Sequence, residues 1–129
     1  MMNIWISGAS TGIGKALVAQ AVAGGFQVIA TSRNRENLDS LTGAVNSPNL
    51  KTAVCDVSSS GSVESFFETV MNGEAPSILI NCAGVTTFKE AVNTSIEEVD
   101  AIIKTNLLGS VYTIQAVLPS MIKRGSGTI

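Results

Sequence analysis

Apolar residues recur along this chain with two alternating rhythms. Short β-rich runs stand between longer stretches whose apolar positions fall three and four apart, the spacing of one helix face. Asn3–Ser7 predicts a first strand. From Ile13, residues Leu17, Val18 and Ala21 keep helical spacing, and Gly24-Gly25 ends that helix. Gln27–Thr31 predicts a second strand, and Asn34 is placed to cap a helix carrying Leu38, Leu41 and Val45, ended by Asn46, Ser47 and Pro48. Leu50–Cys55 predicts a third strand. Ser58-Ser59-Ser60 opens a helix whose Val63, Phe66, Phe67, Val70 and Met71 form one stripe, and Asn72-Gly73 stops it. Ser77–Asn81 predicts a fourth strand. Thr94 or Ser95 then caps one long helix with Glu97 and Glu98 in its first turn. Val99, Ile102, Ile103, Leu107, Ile114, Val117, Leu118 and Met121 run along it, and Pro119 is expected to kink or end it. After the turn Gly125-Ser126-Gly127, Thr128-Ile129 read as the opening of a fifth strand.

The order β-α-β-α-β-α-β-α-(β) predicts an α/β fold: a doubly wound parallel sheet with right-handed crossovers and helices on both faces. The 129 residues are about one domain, 1–129, and 45% hydrophobic against 14% charged residues suits a sheet covered on both sides. No uncharged apolar run approaches the roughly 18 residues of a membrane span, and the start resembles no signal peptide, so no membrane partner is expected. The net charge is −2. Arg33 and Arg35 are the nearest approach to a basic patch, which argues against a nucleic-acid partner. With no His, His-based triads and most zinc sites are excluded, and no metal is expected. Two cysteines, Cys55 and Cys82, fit a reduced, cytoplasmic setting.

The strongest local signal is Gly8-Ala9-Ser10-Thr11-Gly12-Ile13-Gly14, between the first strand and the first helix. Gly8 permits the tight turn, Gly12 leaves no Cβ where a pyrophosphate would approach the main chain, and Gly14 lets helix and sheet pack closely. Amides at the helix start then attract phosphate oxygens. A P-loop would need Gly at Ala9 and Ser or Thr at Ala16, so Gly14-Lys15 does not make one. The G-x-G-x-x-G spacing is absent too. The plainer alternative is three glycines that only make a turn.

Ser7-Gly8-Ala9-Ser10-Thr11-Gly12-Ile13-Gly14 resembles the cofactor turn of the short-chain dehydrogenase/reductase family. Cys55-Asp56-Val57, Asn81-Cys82-Ala83-Gly84 and Asn106-Leu107 with Gly109 resemble further motifs of that family, in order along essentially the whole chain. The resemblance implies a Rossmann fold of strand order 3-2-1-4-(5) and a nicotinamide dinucleotide held by Gly8, Ser10, Thr11, Gly12, Ile13 and Gly14. In that order Cys55 and Cys82 lie three strands apart, about 14 Å at the usual strand spacing, so two free thiols are expected.

The resemblance gives Asp56 a hydrogen bond from the adenine amino group and sets the Val57 backbone at the adenine edge; otherwise Asp56 caps the following helix. The second strand ends in Ala30-Thr31-Ser32-Arg33-Asn34, with no acid before Glu36. Ser32 and Arg33 suit a 2′-phosphate, so NADP is expected over NAD. Small Ala83 and Gly84, with Asn81, leave room for the ribose and nicotinamide. Cys82 stands where the family usually has a second Asn and is expected to substitute by packing. Asn106, mid-helix on a mostly apolar face, is the one catalytic candidate. By resemblance it holds a water leading toward an active-site lysine; otherwise it is a satisfied core Asn.

The family reduces carbonyls or oxidises alcohols with a Ser and a Tyr-x-x-x-Lys pair. The only tyrosine is Tyr112, with Ala116 four residues on. The expectation is therefore a portion of an NADP-dependent oxidoreductase, cut in the fifth strand and inactive by itself. The alternatives are a non-catalytic dinucleotide-binding module and a fragment that associates with a full-length relative. An apolar fourth-strand edge (Ile78, Leu79, Ile80) and exposure of Ile114 and Leu118 lead to an expected homo-oligomer or a marginally stable chain.

Overall fold

The computed structural model describes residues 2–129. Its strands β1 (Asn3–Ser7), β2 (Gln27–Ser32), β3 (Leu50–Val54) and β4 (Ile78–Asn81) are all parallel and lie in the order β3-β2-β1-β4. The predicted α/β Rossmann-like sheet is therefore present. Thr128 makes a single parallel bridge to Ile78, at the outer side of β4 where the fifth strand was expected. Its N–H donates to the Ser77 carbonyl at 3.1 Å and its carbonyl accepts from Leu79 N–H at 2.9 Å.

Register carries the two-sided core. Ile4 pairs with Val28 and Ile78, and Trp5 with Ile29 and Leu79. Successive strand side chains point to opposite faces. Ile4, Ile6, Val28 and Ala30 thus pack with Val18 of helix α1 (Gly12–Ala23) and Leu41 of α2 (Arg35–Val45). Trp5 and Leu79 pack on the other side with Val63, Phe66 and Phe67 of α3 (Ser60–Val70) and with Val117 and Met121 of α5 (Gly109–Arg124). Trp5 is fully buried, its indole N–H donates to Thr31 Oγ1 at 2.9 Å, and its ring centroid lies 4.8 Å from that of Phe66. A buried Trp needs such a partner for its one polar atom.

Capping follows the sequence with one reassignment. Asn34 accepts from Asn37 N–H at 2.9 Å, and Ser95 with Glu98 forms a capping box at the start of α4 (Ile96–Ile103). The cap of α3 is Ser59, not Asp56. Asp56 Oδ1 instead accepts from the Ser58 N–H (3.0 Å) and hydroxyl (2.7 Å) in a local turn.

The last helix differs most from expectation. α4 joins α5 through a π turn, Lys104–Leu108, and the helix continues past Pro119 to Arg124. Pro119 and Gln115, whose carbonyl the missing N–H would have bonded, are both exposed, so water can serve that carbonyl and the helix need not break. The buried row is Thr105, Gly109, Thr113, Val117 and Met121, whereas Val99, Ile103, Leu107 and Leu118 are exposed. Clearance is tightest at Gly109, where a Cβ would come within 2.8 Å of Val57 Cγ2, so this row of the helix can meet the segment after β3. Asn106 is consequently exposed rather than on a buried face.

Joined in this way, Ile96–Arg124 spans 29 residues and is long and apolar enough to cross a membrane, although no apolar run in the sequence suggested it. Its buried row is the packing surface just described. Arg124 closes the helix against the start of β4, donating to the Ala75 and Pro76 carbonyls at 2.9 Å each.

Candidate functional site

The carboxyl ends of β1, β2 and β4 and the segment after β3 open on one cleft of ≈430 Å3. That is the end of an open α/β sheet at which ligands bind, and the volume suits a small molecule. The turn before α1 supplies Gly8, Ser10, Thr11, Gly12, Ile13 and Gly14 to its lining. Ser32 and Arg33 come from the end of β2, Val57 from the segment after β3, and Ala83 and Gly84 from the end of β4. Eleven of the fourteen residues expected at the site thus share one cleft.

Ile13, one of the expected cofactor residues, lies in the first turn of α1 and is 76% exposed, lining the cleft rather than the core.

Each glycine has a distinct reason. Gly8 has φ +64°, and a Cβ there would lie 2.5 Å from Ala83 N and 2.7 Å from the Cys82 carbonyl carbon. The β1 turn and the β4 end therefore meet backbone to backbone, which fixes one wall of the cleft against the other. Gly12 has φ +53° with nothing within 4 Å of its would-be Cβ, so its main chain faces open space. Gly14 adopts helical angles and needs clearance only: a Cβ would lie 2.9 Å from Ala9 Cα.

Electrostatics favour an anion. The cap residue of α1, Thr11, makes no side-chain cap bond, and no acid stands in the first turn. The first amides of α1 are left for a ligand, at the positive end of the helix dipole. Among the described residues no Asp or Glu lines the cleft, and Arg33 at the exposed rim is its one cation. Ser32 Oγ accepts from the Ser10 hydroxyl at 2.8 Å and from Asn34 N–H at 3.3 Å. With both bonds accepted, the proton of Ser32 itself is left to donate. Unfilled amides, an acid-free lining and a main-chain cradle at Gly12 fit a group carrying phosphates.

Three expected residues do not line the cleft. Asp56 is engaged with Ser58 as described. Asn81 Oδ1 accepts from Thr113 Oγ1 at 2.8 Å and from Ser7 Oγ at 3.3 Å, tying β1, β4 and α5 together. Asn106 sits in the π turn, where its amide pairs twice with Val85: Oδ1 accepts from Val85 N–H and Nδ2 donates to Val85 O, both at 2.8 Å. That double bond pins the loop after β4 to the helix.

The cleft also includes Asn34, Asn37, Cys55, Cys82, Val85 and Thr105. Asn34 and Asn37 carried a capping signal only. Thr105 carried none beyond being a β-branched polar residue beside Asn106. Both cysteines are free thiols, as the strand order requires. Burial pushes the Cys55 thiol up to about 11, with Asp56 adding to the rise and a bond to Ser62 opposing it. Burial raises Cys82 as well. Among the described residues no cluster suited to a metal ion is present.

Comparison with known proteins agrees with this geometry. The chain is 34% identical over 130 residues to an NADP-dependent 3-hydroxy acid dehydrogenase of Shigella flexneri, covering 99% of this chain and 52% of that protein. It is 30% identical over 126 residues to an uncharacterized oxidoreductase of Staphylococcus haemolyticus, covering 96% and 54%. The structure superposes on Escherichia coli serine dehydrogenase with a TM-score of 0.89 at 32% identity, over 98% of this chain and 59% of that one. The chain therefore spans about half the length of the curated relatives it matches. The short chain dehydrogenase profile matches residues 2–129, and with the sheet order and glycine turn already described, the chain belongs to the short-chain dehydrogenase family.

Proposed function

We propose that this chain holds a nicotinamide dinucleotide, NADP in preference to NAD, for an oxidoreductase acting on an alcohol or carbonyl substrate. The observation that carries the proposal is the cleft itself: open main chain at Gly12, uncapped amides at the start of α1, and no carboxylate in the lining. Bound there, the dinucleotide supplies or accepts a hydride. The chain's own residues bind and orient. The first amides of α1 meet the pyrophosphate, and Arg33 with the free proton of Ser32 meets a 2′-phosphate. Val57 borders the adenosine half, and Ala83 and Gly84 border the half toward the nicotinamide. Asn81 and Asn106 act one layer back, the first by holding the end of β4 to α5 and the second by pinning Val85. A serine dehydrogenase solved in a closed form with NADP+ and a metagenomic short-chain oxidoreductase solved with NADP, 32% and 28% identical, support the choice of cofactor.

Within these 129 residues binding is proposed without turnover. The one tyrosine, Tyr112, borders a separate groove between α3 and α5, away from the dinucleotide cleft, and Ala116 stands four residues on. A chain that binds NADPH yet oxidises none with a panel of carbonyls fits this reading; turnover by the chain alone overturns it. Self-association through the exposed stripe of Val99, Ile103, Leu107, Leu118 and Ile122 is proposed as well. The cofactor is tested by calorimetric titration with NADPH and NADH, alongside Arg33→Ala. The expected result is tighter NADPH binding, lost selectively in the variant by about tenfold, the order expected for a charge-assisted pair. Tighter NADH binding by the unaltered chain refutes the NADP assignment.

A further inference from the structure

We propose that Asn72 is a site of spontaneous modification, deamidating through the main-chain nitrogen of Gly73 at a rate set by how often the turn after α3 opens. Nine asparagines occur in the chain, and only Asn72 precedes a glycine. The chemistry selects for that pair. The Gly73 nitrogen, on losing its proton, attacks Asn72 Cγ. A bond from nitrogen to Cγ forms, the Cγ–Nδ2 bond breaks, and ammonia leaves. Water then opens the cyclic imide at either carbonyl, which leaves aspartate or isoaspartate at position 72. No electrons are gained or lost, and water is the one co-reactant. Glycine presents its nitrogen with no Cβ beside it, and asparagine is among the thermally labile side chains.

Asn72 is exposed and holds a left-handed backbone, φ +54°. Its side-chain amide has no hydrogen-bond partner among the described residues, so the electrophile is free. The nucleophile is guarded instead. Gly73 N–H donates to the Phe67 carbonyl at 3.0 Å, and Glu74 N–H donates to the Met71 carbonyl at 3.0 Å. Met71 itself is buried in the core with Trp5 and Phe66. Beyond the turn, Ala75 N–H donates to Ser120 Oγ at 3.3 Å, and Arg124 holds the Ala75 and Pro76 carbonyls. The turn is therefore clamped to the core on one side and to α5 on the other. While the Phe67 bond stands, the Gly73 nitrogen keeps its proton and cannot reach Cγ, so reaction waits on local opening.

Asn46 is an internal control. It too is exposed and left-handed, φ +41°, but Ser47 follows it. The Ser47 N–H has no acceptor among the described residues. Asn46 thus faces a free but hindered nitrogen, and Asn72 an unhindered but guarded one. The product at position 72 weakens its own guard. Its carboxylate falls at the C-terminal end of α3, where the helix dipole is negative, beside Glu68, whose Oε2 lies 3.7 Å from the Cβ position of Gly73. Isoaspartate also lengthens the main chain by one carbon, which the turn cannot hold.

The test is peptide mapping by mass spectrometry of the full chain incubated at mildly alkaline pH, folded and in guanidinium chloride, with circular dichroism verifying the folded sample. In denaturant, Asn72 is expected to deamidate well ahead of Asn46. In the folded chain it is expected to be at least about tenfold slower than in denaturant, the factor for a turn open in about one molecule in ten. Deuterium exchange at the Gly73 amide should be slowed to match. Arg124→Ala removes one clamp and is expected to speed Asn72 several-fold while leaving Asn46 unchanged; should that variant not fold, Ser120→Ala carries the same comparison. An Asn72 that reacts no faster than Asn46 in denaturant overturns the site. Equal Asn72 rates in the folded and denatured chains, or a folded clamp variant with an unchanged rate, overturns the control by turn opening.

Discussion

Gly8 and Gly12 stand in the same turn with nearly the same left-handed backbone, φ +64° and +53°, yet alanine should affect them very differently. At both positions the added Cβ incurs the left-handed penalty of about 1–2 kcal/mol. At Gly12 that is the whole cost, because nothing lies within 4 Å. At Gly8 the methyl meets Ala83 N at 2.5 Å and the Cys82 carbonyl carbon at 2.7 Å. These are backbone atoms of a hydrogen-bonded strand end and cannot swing away, so overpacking adds about 1–3 kcal/mol. Gly8→Ala is thus expected to cost about 2–5 kcal/mol, a large share of a typical domain's stability of about 5–15 kcal/mol. Equilibrium urea unfolding followed by Trp5 fluorescence measures both, since Trp5 is fully buried against Phe66. Cofactor binding should order the two variants the other way round relative to their stability. Gly12→Ala keeps most of its stability and loses NADPH affinity, because its methyl occupies the open space in front of the main chain. Gly14→Ala separates the terms, having close contacts without a positive φ. Equal stability of Gly8→Ala and Gly12→Ala would refute the claim that the Gly8–Ala83 approach, and not turn conformation alone, requires glycine.

Three further expectations follow from the same structure. Because Cys55 has its thiol raised from 9.0 to about 11 by burial, the folded state holds that proton more tightly than the unfolded one. Its contribution to stability is complete below pH 9 and is lost as pH rises toward 11, at no more than about 1.4 kcal/mol per pH unit; urea midpoints across that window should fall less steeply in Cys55→Ala. Cys82 is partly exposed in the cleft while Cys55 is buried, so maleimide should label Cys82 first and NADPH should slow that labelling, whereas labelling unaffected by saturating NADPH would place the nucleotide elsewhere. Size-exclusion chromatography should show self-association that Leu107→Glu reduces, because Leu107 is 56% exposed within the apolar stripe; a monodisperse monomer counts against that use of the stripe.

Much of this protein was legible in the chain as written. Strand and helix periods, the Asn34 cap, the Ser95–Glu98 box and the glycine turn are local signals, because each depends on residues a few positions apart. They gave the parallel sheet and brought most of the expected cofactor residues to one cleft. Only the tertiary structure decided which side of the last helix is buried, that a π turn interrupts it, and that Thr105 rather than Asn106 reaches the cleft. Likewise, Asp56 and Asn81 carried motif signals, but it took the fold to show that Asp56 Oδ1 accepts from Ser58 and that Asn81 Oδ1 accepts from Ser7 and Thr113. The physical reason is that these outcomes depend on clearance between segments far apart in sequence. Gly109 must fit against Val57, and Asn106 must find Val85, and no local period records the distance between surfaces that meet only when the chain is folded.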